Sequence, residues 1–306
     1  MESTRLNKRE AIVIMGPTAS GKSALALALA RRLDGEIISA DSMQFYRGLE
    51  IGTAQPTEAE RREIRHHLVG CFPIDRKVDV FRFVKLADAA AAEIRARGRR
   101  PIVVGGTGLY LRALLYGLDD LPADPELRRR LDAEFDSDAA EPGLHRRMAE
   151  LDPAGLERWR HCRRRLLRAL EVRLLTGKSI LELQQNPGDR LRFPVRAFKL
   201  VNDPAELRER IARRARQMLE NGWIEEAEQA IRNGLLDSPT AHQAIGYRLI
   251  GDFLAGKLDR NQLEERIITA TCQLARRQRT WFRHQHPEAE TLPMPADPER
   301  LAARLS

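Results

Sequence analysis

The sequence predicts an α/β fold, with a P-loop NTPase-like, mostly parallel sheet as its core and an inserted helical domain. Apolar, partly β-branched runs at 11–15, 35–41 and 101–104 are typical of buried strands. Helical patterns separate these strands, and strands that alternate with helices form parallel sheets. The pattern G-x-x-x-x-G-K-[ST] follows the first strand directly and precedes a helical, Ala- and Leu-rich segment at 24–33.

This glycine-rich pattern predicts a phosphate-binding loop. In such loops, backbone N–H groups turn inward around a phosphate, and a helix N-terminus adds partial positive charge. Lys22 supplies a point charge, and the Ser23 hydroxyl is suited to bind Mg²⁺, the predicted cofactor. The motif does not say what is done with the phosphate. The loop consists of Gly16, Pro17, Thr18, Ala19, Ser20, Gly21, Lys22 and Ser23.

Composition predicts a soluble globular enzyme with more than one domain. The chain has 306 residues, of which 42% are hydrophobic and 31% are charged. No apolar run approaches the roughly 20 residues that span a bilayer, and residues 1–9 lack the apolar stretch of a secretory signal. Cys71, Cys162 and Cys272 are far apart, which favours neither a disulfide framework nor a zinc site. We therefore expect a cytoplasmic protein without a membrane partner.

The order of the patterns predicts the domain organisation. Residues 119–125 resemble a linker, because they include two prolines. A helical pattern then runs to about residue 185, with breaks at Pro142-Gly143, Pro153 and Gly177, and strand periodicity returns at 195–201. We expect residues 1–118 and 195–306 to form the core and residues 119–194 to form an inserted helical domain. Further helices are expected from Thr57 onward and at 80–97, 109–115, 204–220, 224–232, 241–255 and 262–283.

Asp41 and Thr107 each stand just past a predicted strand. In parallel sheets, ligands bind beyond the carboxyl ends of the strands. We therefore expect both side chains to face the same crevice as Lys22.

Positive charge is concentrated in three clusters. The formal net charge is +8 and the sequence pI is about 9.8. A basic run is most often a solvated helix face, but three clusters with interleaved aromatic residues favour a nucleic-acid track. The mixture suits RNA at least as well as duplex DNA, because splayed-out RNA bases stack on aromatic and Arg planes. The arginines are Arg158, Arg160, Arg163, Arg164, Arg165 and Arg168, then Arg208, Arg210, Arg213, Arg214 and Arg216, then Arg276, Arg277, Arg279 and Arg283.

Several motifs lie along the chain, at 16–23, 41–54, 66–68, 104–110, 168–172, 246–248 and 273–278, with Thr280-Trp281. In combination they resemble the tRNA dimethylallyltransferases, also called tRNA isopentenyltransferases, through nearly the whole chain. The resemblance implies transfer of a dimethylallyl group from dimethylallyl diphosphate to N6 of the adenosine just 3′ of a tRNA anticodon. The implied partners are this donor and the tRNA anticodon stem-loop, and we expect a monomer.

The resemblance also implies residue roles. Lys22 and Mg²⁺ on Ser23 would stabilise charge on the leaving diphosphate, with Thr18 near the reacting groups and Arg210 reaching the donor. Asp41 would accept the proton of the exocyclic amine; its alternative is to bind Mg²⁺ through water, as in P-loop kinases. Catalysis is thus assigned to Asp41, Thr18 and Lys22. Contacts to tRNA are implied for Asp41, Ser42, Met43, Gln44, Thr107, Arg128, Arg164, Arg165, Arg168, Gln243, Gly246, Tyr247, Arg248, Arg276, Arg277, Gln278, Thr280, Trp281 and Arg283.

The chain departs from the family's usual pattern in two places. His161-Cys162 stand where Asn-Asp is usual, and Val69-Gly70-Cys71 replaces a segment that usually begins with an acidic residue. Both departures lie outside the blocks assigned to catalysis. The adjacent pair His66-His67 does not predict a zinc site, because neighbouring side chains on a strand or helix diverge.

Two other functions explain part of the sequence. A P-loop kinase, or an isopentenyltransferase acting on free adenine nucleotides, accounts for the loop and Asp41 but leaves the basic clusters without a task. A non-catalytic or ATP-hydrolysing RNA-binding protein accounts for the charge but not for Asp41 and Thr107 beside the loop. Modification of free AMP but not tRNA would favour the first.

Overall fold

The protein consists of two compact units. One comprises Met1–Tyr116 and Asp189–Ser306, and the other comprises Gly117–Gly188. None of the described helices is long and apolar enough to cross a membrane. The structure, a computed structural model, describes residues 10–119, 121–135, 137–184, 190–286 and 288–306.

The larger unit is built on a six-stranded sheet in which every pair of neighbours is parallel. This confirms the predicted fold class. The strand order is β3-β2-β4-β1-β5-β6, so β1 lies between β4 and β5. The strands are β1 (Ala11–Met15), β2 (Gly35–Ser39), β3 (His66–His67), β4 (Arg100–Gly105), β5 (Val195–Val201) and β6 (Glu290–Pro293).

Alternate residues of β1 belong to two different hydrophobic clusters. Val13 and Met15 pack into the larger cluster, whereas Ile12 and Ile14 pack into the other. Successive side chains of a strand point to opposite faces of the sheet. Both faces of β1 are therefore covered, which is why its sequence is a continuous apolar run and not an alternating one.

Helices follow the first strands, as predicted. Gly21, at a φ of 94°, turns the chain into the first helix, which begins two residues earlier than expected. Thr57 caps the second helix through a capping box with Glu60. These helices are α1 (Lys22–Arg32), α2 (Glu58–Glu63), α3 (Val80–Ala96) and α4 (Gly108–Tyr116).

The smaller unit is helical and has its own hydrophobic core, formed by residues such as Leu144, Leu166 and Leu170. The expected break near Pro142-Gly143 lies slightly earlier, because one helix ends at Phe135 and the next begins at Glu141. Pro142 lies in the first turn of that next helix, where a missing N–H is tolerated. The helices are α5 (Pro125–Phe135), α6 (Glu141–Leu151), α7 (Pro153–Trp159), α8 (Arg163–Thr176) and α9 (Ile180–Leu183).

The smaller unit ends earlier than the predicted boundary at residue 194. Residues 190–194 group with the larger unit instead. Leu191 and Phe193 pack against the core of that unit, and the Arg192 N–H donates a hydrogen bond to the Leu115 carbonyl at 2.8 Å. Packing and hydrogen bonding thus tie this stretch to the sheet before β5 begins.

The C-terminal part adds helices to the larger unit. The helix expected at 241–255 is wrong in its first half, since a 3₁₀ turn ends at Gln243 and the α-helix begins only at Tyr247. Gly246 separates them at a φ of 99°. Neither β3, β6 nor the last helix was predicted. The α-helices are α10 (Pro204–Glu220), α11 (Trp223–Arg232), α12 (Tyr247–Leu254), α13 (Arg260–Gln285) and α14 (Pro298–Leu305), and the 3₁₀ turns are Leu235–Asp237 and Ala241–Gln243.

Candidate active site

The predicted phosphate-binding loop lies between β1 and α1. Ala19 adopts a φ of 60°, which a residue with a side chain rarely adopts, and the Lys22 Nζ donates to the Pro17 carbonyl at 3.2 Å. Ser20 is fully buried, and its hydroxyl has no hydrogen-bond partner among the described residues. A Cβ added at Gly16 would lie 2.9 Å from that hydroxyl and 3.1 Å from Leu200 Cβ, so a side chain there would displace its neighbours. The loop therefore has a tightly specified backbone.

Helix α10 faces this loop across a cavity of about 250 Å³. Arg210, which the resemblance assigns to the donor diphosphate, lines this cavity. Three other residues of α10 line it: Arg213 and Arg214, which the sequence assigned only to a basic cluster, and Gln217, which it did not indicate. They stand three, four and seven positions after Arg210, which is the spacing of one helix face and the signal that could have found them.

The charges in this cavity interact with Asp41. Burial lowers the pKa of Lys22 to about 8; the Asp41 carboxylate partly opposes this shift, and Arg214 adds to it. Burial also lowers the pKa of Arg214, and Asp41 again opposes the shift. Among the described residues, no group of three His, Cys, Asp or Glu side chains could hold a metal ion. The cavity is thus predominantly cationic and complements an anionic ligand.

Thr107 braces the backbone that carries Asp41. The two residues follow β2 and β4, which are hydrogen-bonded neighbours in the sheet. The Ser42 N–H donates to Thr107 Oγ1 at 2.9 Å, and the Thr107 N–H donates to the Ala40 carbonyl at 3.3 Å. Asp41 Oδ1 in turn accepts the Met43 N–H at 3.0 Å. Hydrogen bonds to the residues before and after Asp41 therefore hold its backbone in place.

The Gln44 side chain forms hydrogen bonds within the protein at both ends of its amide. Its amide nitrogen donates to the Ala54 carbonyl at 2.8 Å and to the Thr53 carbonyl at 3.2 Å. Its oxygen accepts the Ser39 hydroxyl at 2.8 Å. Both amide hydrogens are thus engaged, so this conformation gives Gln44 a loop-holding role and leaves no free donor for tRNA.

Gln278 of α13 reaches the phosphate-binding loop. Its Oε1 accepts the Thr18 N–H at 2.8 Å, and its Nε2 donates to the Gly106 carbonyl at 2.9 Å. One helical turn later, Trp281 packs over Gly108, where an added Cβ would lie 2.3 Å from the indole ring. Gln278 and Trp281, for which tRNA contacts were expected, thus pack against the loops that follow β1 and β4.

The expectation for Tyr247 requires correction, because its side chain is only 1% exposed. Its hydroxyl donates to Glu226 Oε1 at 2.8 Å, and the same carboxylate accepts the Gly52 N–H at 2.9 Å. Burial raises the pKa of both Tyr247 and Glu226. Gly246 is also buried, with an added Cβ only 2.3 Å from the Trp223 ring. Gly246 and Tyr247 therefore pack in the interior. Gln243 and Arg248, by contrast, are exposed.

On α13, the arginines predicted to contact tRNA are exposed. Arg276, Arg277 and Arg283 form no ion pair with any residue in the described ranges. Thr280 is exposed on the same helix. This helix therefore presents uncompensated positive charge.

Within the smaller unit, the predicted arginines divide into two groups. Arg164 and Arg165 are exposed on α8. Arg168 instead donates to the buried Glu171 at 2.7 Å, and Arg128 pairs with the same carboxylate. Burial alone would raise the pKa of Glu171, but hydrogen bonds from these two guanidinium groups hold it below its usual range. Arg128 and Arg168 thus neutralise a buried acid in addition to any contact with tRNA.

Comparisons with known proteins identify the family of this chain. A sequence model of the family described as "IPP transferase" matches residues 44–285, and one described as "Isopentenyl transferase" matches residues 9–76. A tRNA dimethylallyltransferase of Anaeromyxobacter dehalogenans (strain 2CP-C) is 45% identical over 297 residues, which cover 96% of this chain and 98% of that protein. One of Stenotrophomonas maltophilia (strain R551-3) is 44% identical over 311 residues, covering 97% and 96%.

Solved structures give the same result. The tRNA delta(2)-isopentenylpyrophosphate transferase of Staphylococcus epidermidis is 30% identical, with a TM-score of 0.69 and coverage of 96% of both chains. The full-length tRNA isopentenylpyrophosphate transferase of Bacillus halodurans is 34% identical, with a TM-score of 0.69 and coverage of 97% of this chain and 94% of that one. A eukaryotic dimethylallyltransferase acting on tRNA is 30% identical, with a TM-score of 0.73 and coverage of 89% and 69%. With its sheet, phosphate-binding loop and nearly full-length matches, this chain belongs to the IPP transferase family, that of the tRNA dimethylallyltransferases.

Proposed function

We propose that this protein transfers a dimethylallyl group from dimethylallyl diphosphate to N6 of the adenosine just 3′ of a tRNA anticodon. The observation that supports the proposal is the electrostatic influence of the Asp41 carboxylate on two cations of the cavity, Lys22 and Arg214. A cationic cavity for a diphosphate thus adjoins a carboxylate that can accept a proton. Family membership supplies the substrate class.

The phosphate-binding loop and α10 form the donor's diphosphate site. As the allylic C–O bond breaks, negative charge grows on the leaving oxygens, and fixed positive charges lower the energy of that state. Lys22, Arg210 and Arg214 line the cavity and supply such charges. Their positions are set by the loop and by one helix face before the reaction begins, so little reorganisation is required.

Mg²⁺ fits the donor set at this site. Ser23 is exposed in the first turn of α1 and lines the same cavity, so its hydroxyl oxygen can serve as a ligand. Mg²⁺ is commonly held by one or two protein oxygens together with substrate phosphates and waters. When bound, it neutralises charge on the diphosphate.

Asp41 is assigned the role of general base. An exocyclic amine is a weak nucleophile, and a carboxylate that takes its proton during attack assists the reaction. Hydrogen bonds through Ser42 and Met43 hold Asp41 at the end of β2. The acceptor adenine must leave its stack to reach this crevice, as bases do in other base-modifying enzymes.

Exposed arginines support a tRNA acceptor. Arg276, Arg277 and Arg283 on α13, like Arg164 and Arg165 on α8, are available for phosphate contacts. A small-molecule kinase, or an enzyme acting on free nucleotides, would not require these exposed charges. The tRNA acceptor therefore accounts for more of the chain than either alternative.

The test is product analysis. The purified protein is incubated with dimethylallyl diphosphate, Mg²⁺ and either unmodified tRNA or AMP, and the products are digested to nucleosides and separated. We expect N6-(dimethylallyl)adenosine from tRNA, none from AMP, and none from a matched tRNA whose target adenosine is replaced by guanosine. Product from AMP but not from tRNA would favour a free-nucleotide enzyme, and absence of product from both would contradict the proposal.

A further inference from the structure

Gln278 forms a bridge between two loops at the carboxyl ends of β1 and β4. One end of its amide accepts the Thr18 N–H at 2.8 Å, and the other donates to the Gly106 carbonyl at 2.9 Å. A backbone N–H only donates and a carbonyl only accepts, so these partners fix which end of the amide is oxygen and which is nitrogen. Only a side chain that both accepts and donates can make this bridge.

The backbone that Gln278 holds is a strained part of the phosphate-binding loop. Thr18 is followed by Ala19, whose φ of 60° lies in the left-handed region that side-chain-bearing residues rarely adopt. Such conformations persist when the surrounding structure over-determines them. The hydrogen bond to Gln278 turns the Thr18 peptide toward α13, 260 residues along the chain. An anchor outside the loop thus fixes the Pro17–Thr18 peptide, which lies one residue before the strained Ala19.

The face of α13 that carries Gln278 is built for this contact. Gln278 and Trp281 stand three residues apart on one helix face, and each lies where an added Cβ would clash, at Gly106 and Gly108 respectively. The distance from a Cβ at Gly106 to Gln278 Nε2 would be only 2.5 Å. The glycines therefore allow the helix to approach the loop closely enough for the amide to reach.

We propose that Gln278 is a positioning residue for the donor, which holds the phosphate-binding loop in its diphosphate-binding conformation through Thr18. This inference rests on the proposed function for the identity of the donor. It gives Gln278 a task different from the tRNA contact that the family resemblance implies. The two roles differ in what they predict for binding of diphosphate when no tRNA is present.

The experiment measures binding of inorganic diphosphate with Mg²⁺ by calorimetry, without tRNA. Gln278→Leu removes both hydrogen bonds at similar volume, and we expect affinity to fall about tenfold. Gln273→Leu makes the same substitution at an exposed position of the same helix and should leave affinity unchanged. Affinity for tRNA should be retained in both variants. Loss of tRNA affinity with unchanged diphosphate affinity in Gln278→Leu would overturn the inference.

A second variant disturbs the hydrogen bond between Gln278 and the Gly106 carbonyl. Gly106→Ala retains Gln278 but pushes its amide away, and should weaken diphosphate binding in the same direction. Hydrogen exchange of the Thr18 amide should accelerate in both Gln278→Leu and Gly106→Ala, at melting temperatures close to that of the wild type. Unchanged exchange at Thr18 would contradict the positioning role even if binding weakened.

The outcomes separate this inference from the proposed function. If the wild type makes the tRNA product and Gln278→Leu binds diphosphate as tightly as the wild type, the positioning role fails and the function stands. If the wild type makes no product but binds diphosphate, the function fails while the comparison of variants still decides the positioning role. A wild type that binds no diphosphate overturns both.

Discussion

Lys22 should set the pH range in which the donor binds. Burial in the loop lowers its pKa to about 8, so the ammonium group is largely charged near neutral pH and loses its proton as the pH rises through that value. A diphosphate binds the charged form. Donor affinity should therefore be full below about pH 7 and should fall above about pH 8.

The pKa gives the size of the effect. If only the protonated form binds, the apparent Kd equals the intrinsic Kd divided by the protonated fraction. With a pKa of about 8, that fraction is about 0.9 at pH 7 and about 0.1 at pH 9, so the apparent Kd should rise about tenfold over this range. Because the Asp41 carboxylate raises the pKa of Lys22, Asp41→Asn should move the profile to lower pH.

The assay is calorimetric titration with dimethylallyl diphosphate at several pH values, without tRNA. Lys22→Arg is the matched control, since a guanidinium stays charged throughout and any remaining trend reports titration of the ligand or of other groups. Equal wild-type affinity at pH 7 and pH 9 would refute the assignment of this pH dependence to Lys22. A parallel decline in Lys22→Arg would refute it too.

Two further predictions concern surface charge and stability. Replacing the exposed pair Arg164 and Arg165 by Ala, or Arg276 and Arg277 by Ala, should weaken tRNA binding. The slope of log binding constant against log salt concentration should become shallower by about 1.5. An unchanged slope in both double variants would show that these arginines do not contact tRNA phosphates. At the opposite end of β2, burial would raise the pKa of Glu36, but hydrogen bonds from Arg97 and His67 hold it at about 2. The folded-state pKa is thus below the unfolded value of 4.5, so the stabilisation is present above about pH 4.5 and is lost as the pH falls toward 2. Glu36→Gln should accordingly lower the free energy of unfolding by about 2–3 kcal/mol at pH 7, measured by urea denaturation, and a difference that persists undiminished near pH 2 would contradict this assignment.

Local patterns predicted the elements that position the site. The apolar run at 11–15 and the following G-x-x-x-x-G-K-[ST] pattern specify a strand, a loop and a helix by short-range chemistry alone. The expectation that Asp41 approaches Lys22 required only the rule that strand ends of a parallel sheet converge, and the electrostatic coupling of the two groups agrees with it.

Elements that depend on distant partners escaped prediction. β3 is two residues long and is specified by pairing with β2, and β6 is an edge strand with mostly exposed residues. Neither carries a continuous apolar run or a clear alternation. Their positions depend on tertiary hydrogen bonds, which periodicity does not report.

Side-chain roles were hardest to assign for motif residues whose side chains pair with buried groups of the protein. Tyr247 stands in a segment that resembles a tRNA contact, yet its hydroxyl is committed to Glu226, 21 residues away in sequence. The resemblance implies tRNA contacts for Arg128 and Arg168, but both guanidinium groups pair with Glu171. Pairings of this kind depend on which helix faces pack together, so they become visible only in three dimensions.

A single-turnover measurement of Asp41→Asn tests whether Asp41 takes the proton from the attacking amine beside the diphosphate site. The variant is saturated with dimethylallyl diphosphate and unmodified tRNA, and the rate of product formation is compared with that of the wild type. We expect a rate at least about 100-fold lower than that of the wild type, with donor and tRNA affinities changed much less, because a positioned general base contributes on this scale. A rate close to that of the wild type under these conditions would contradict it.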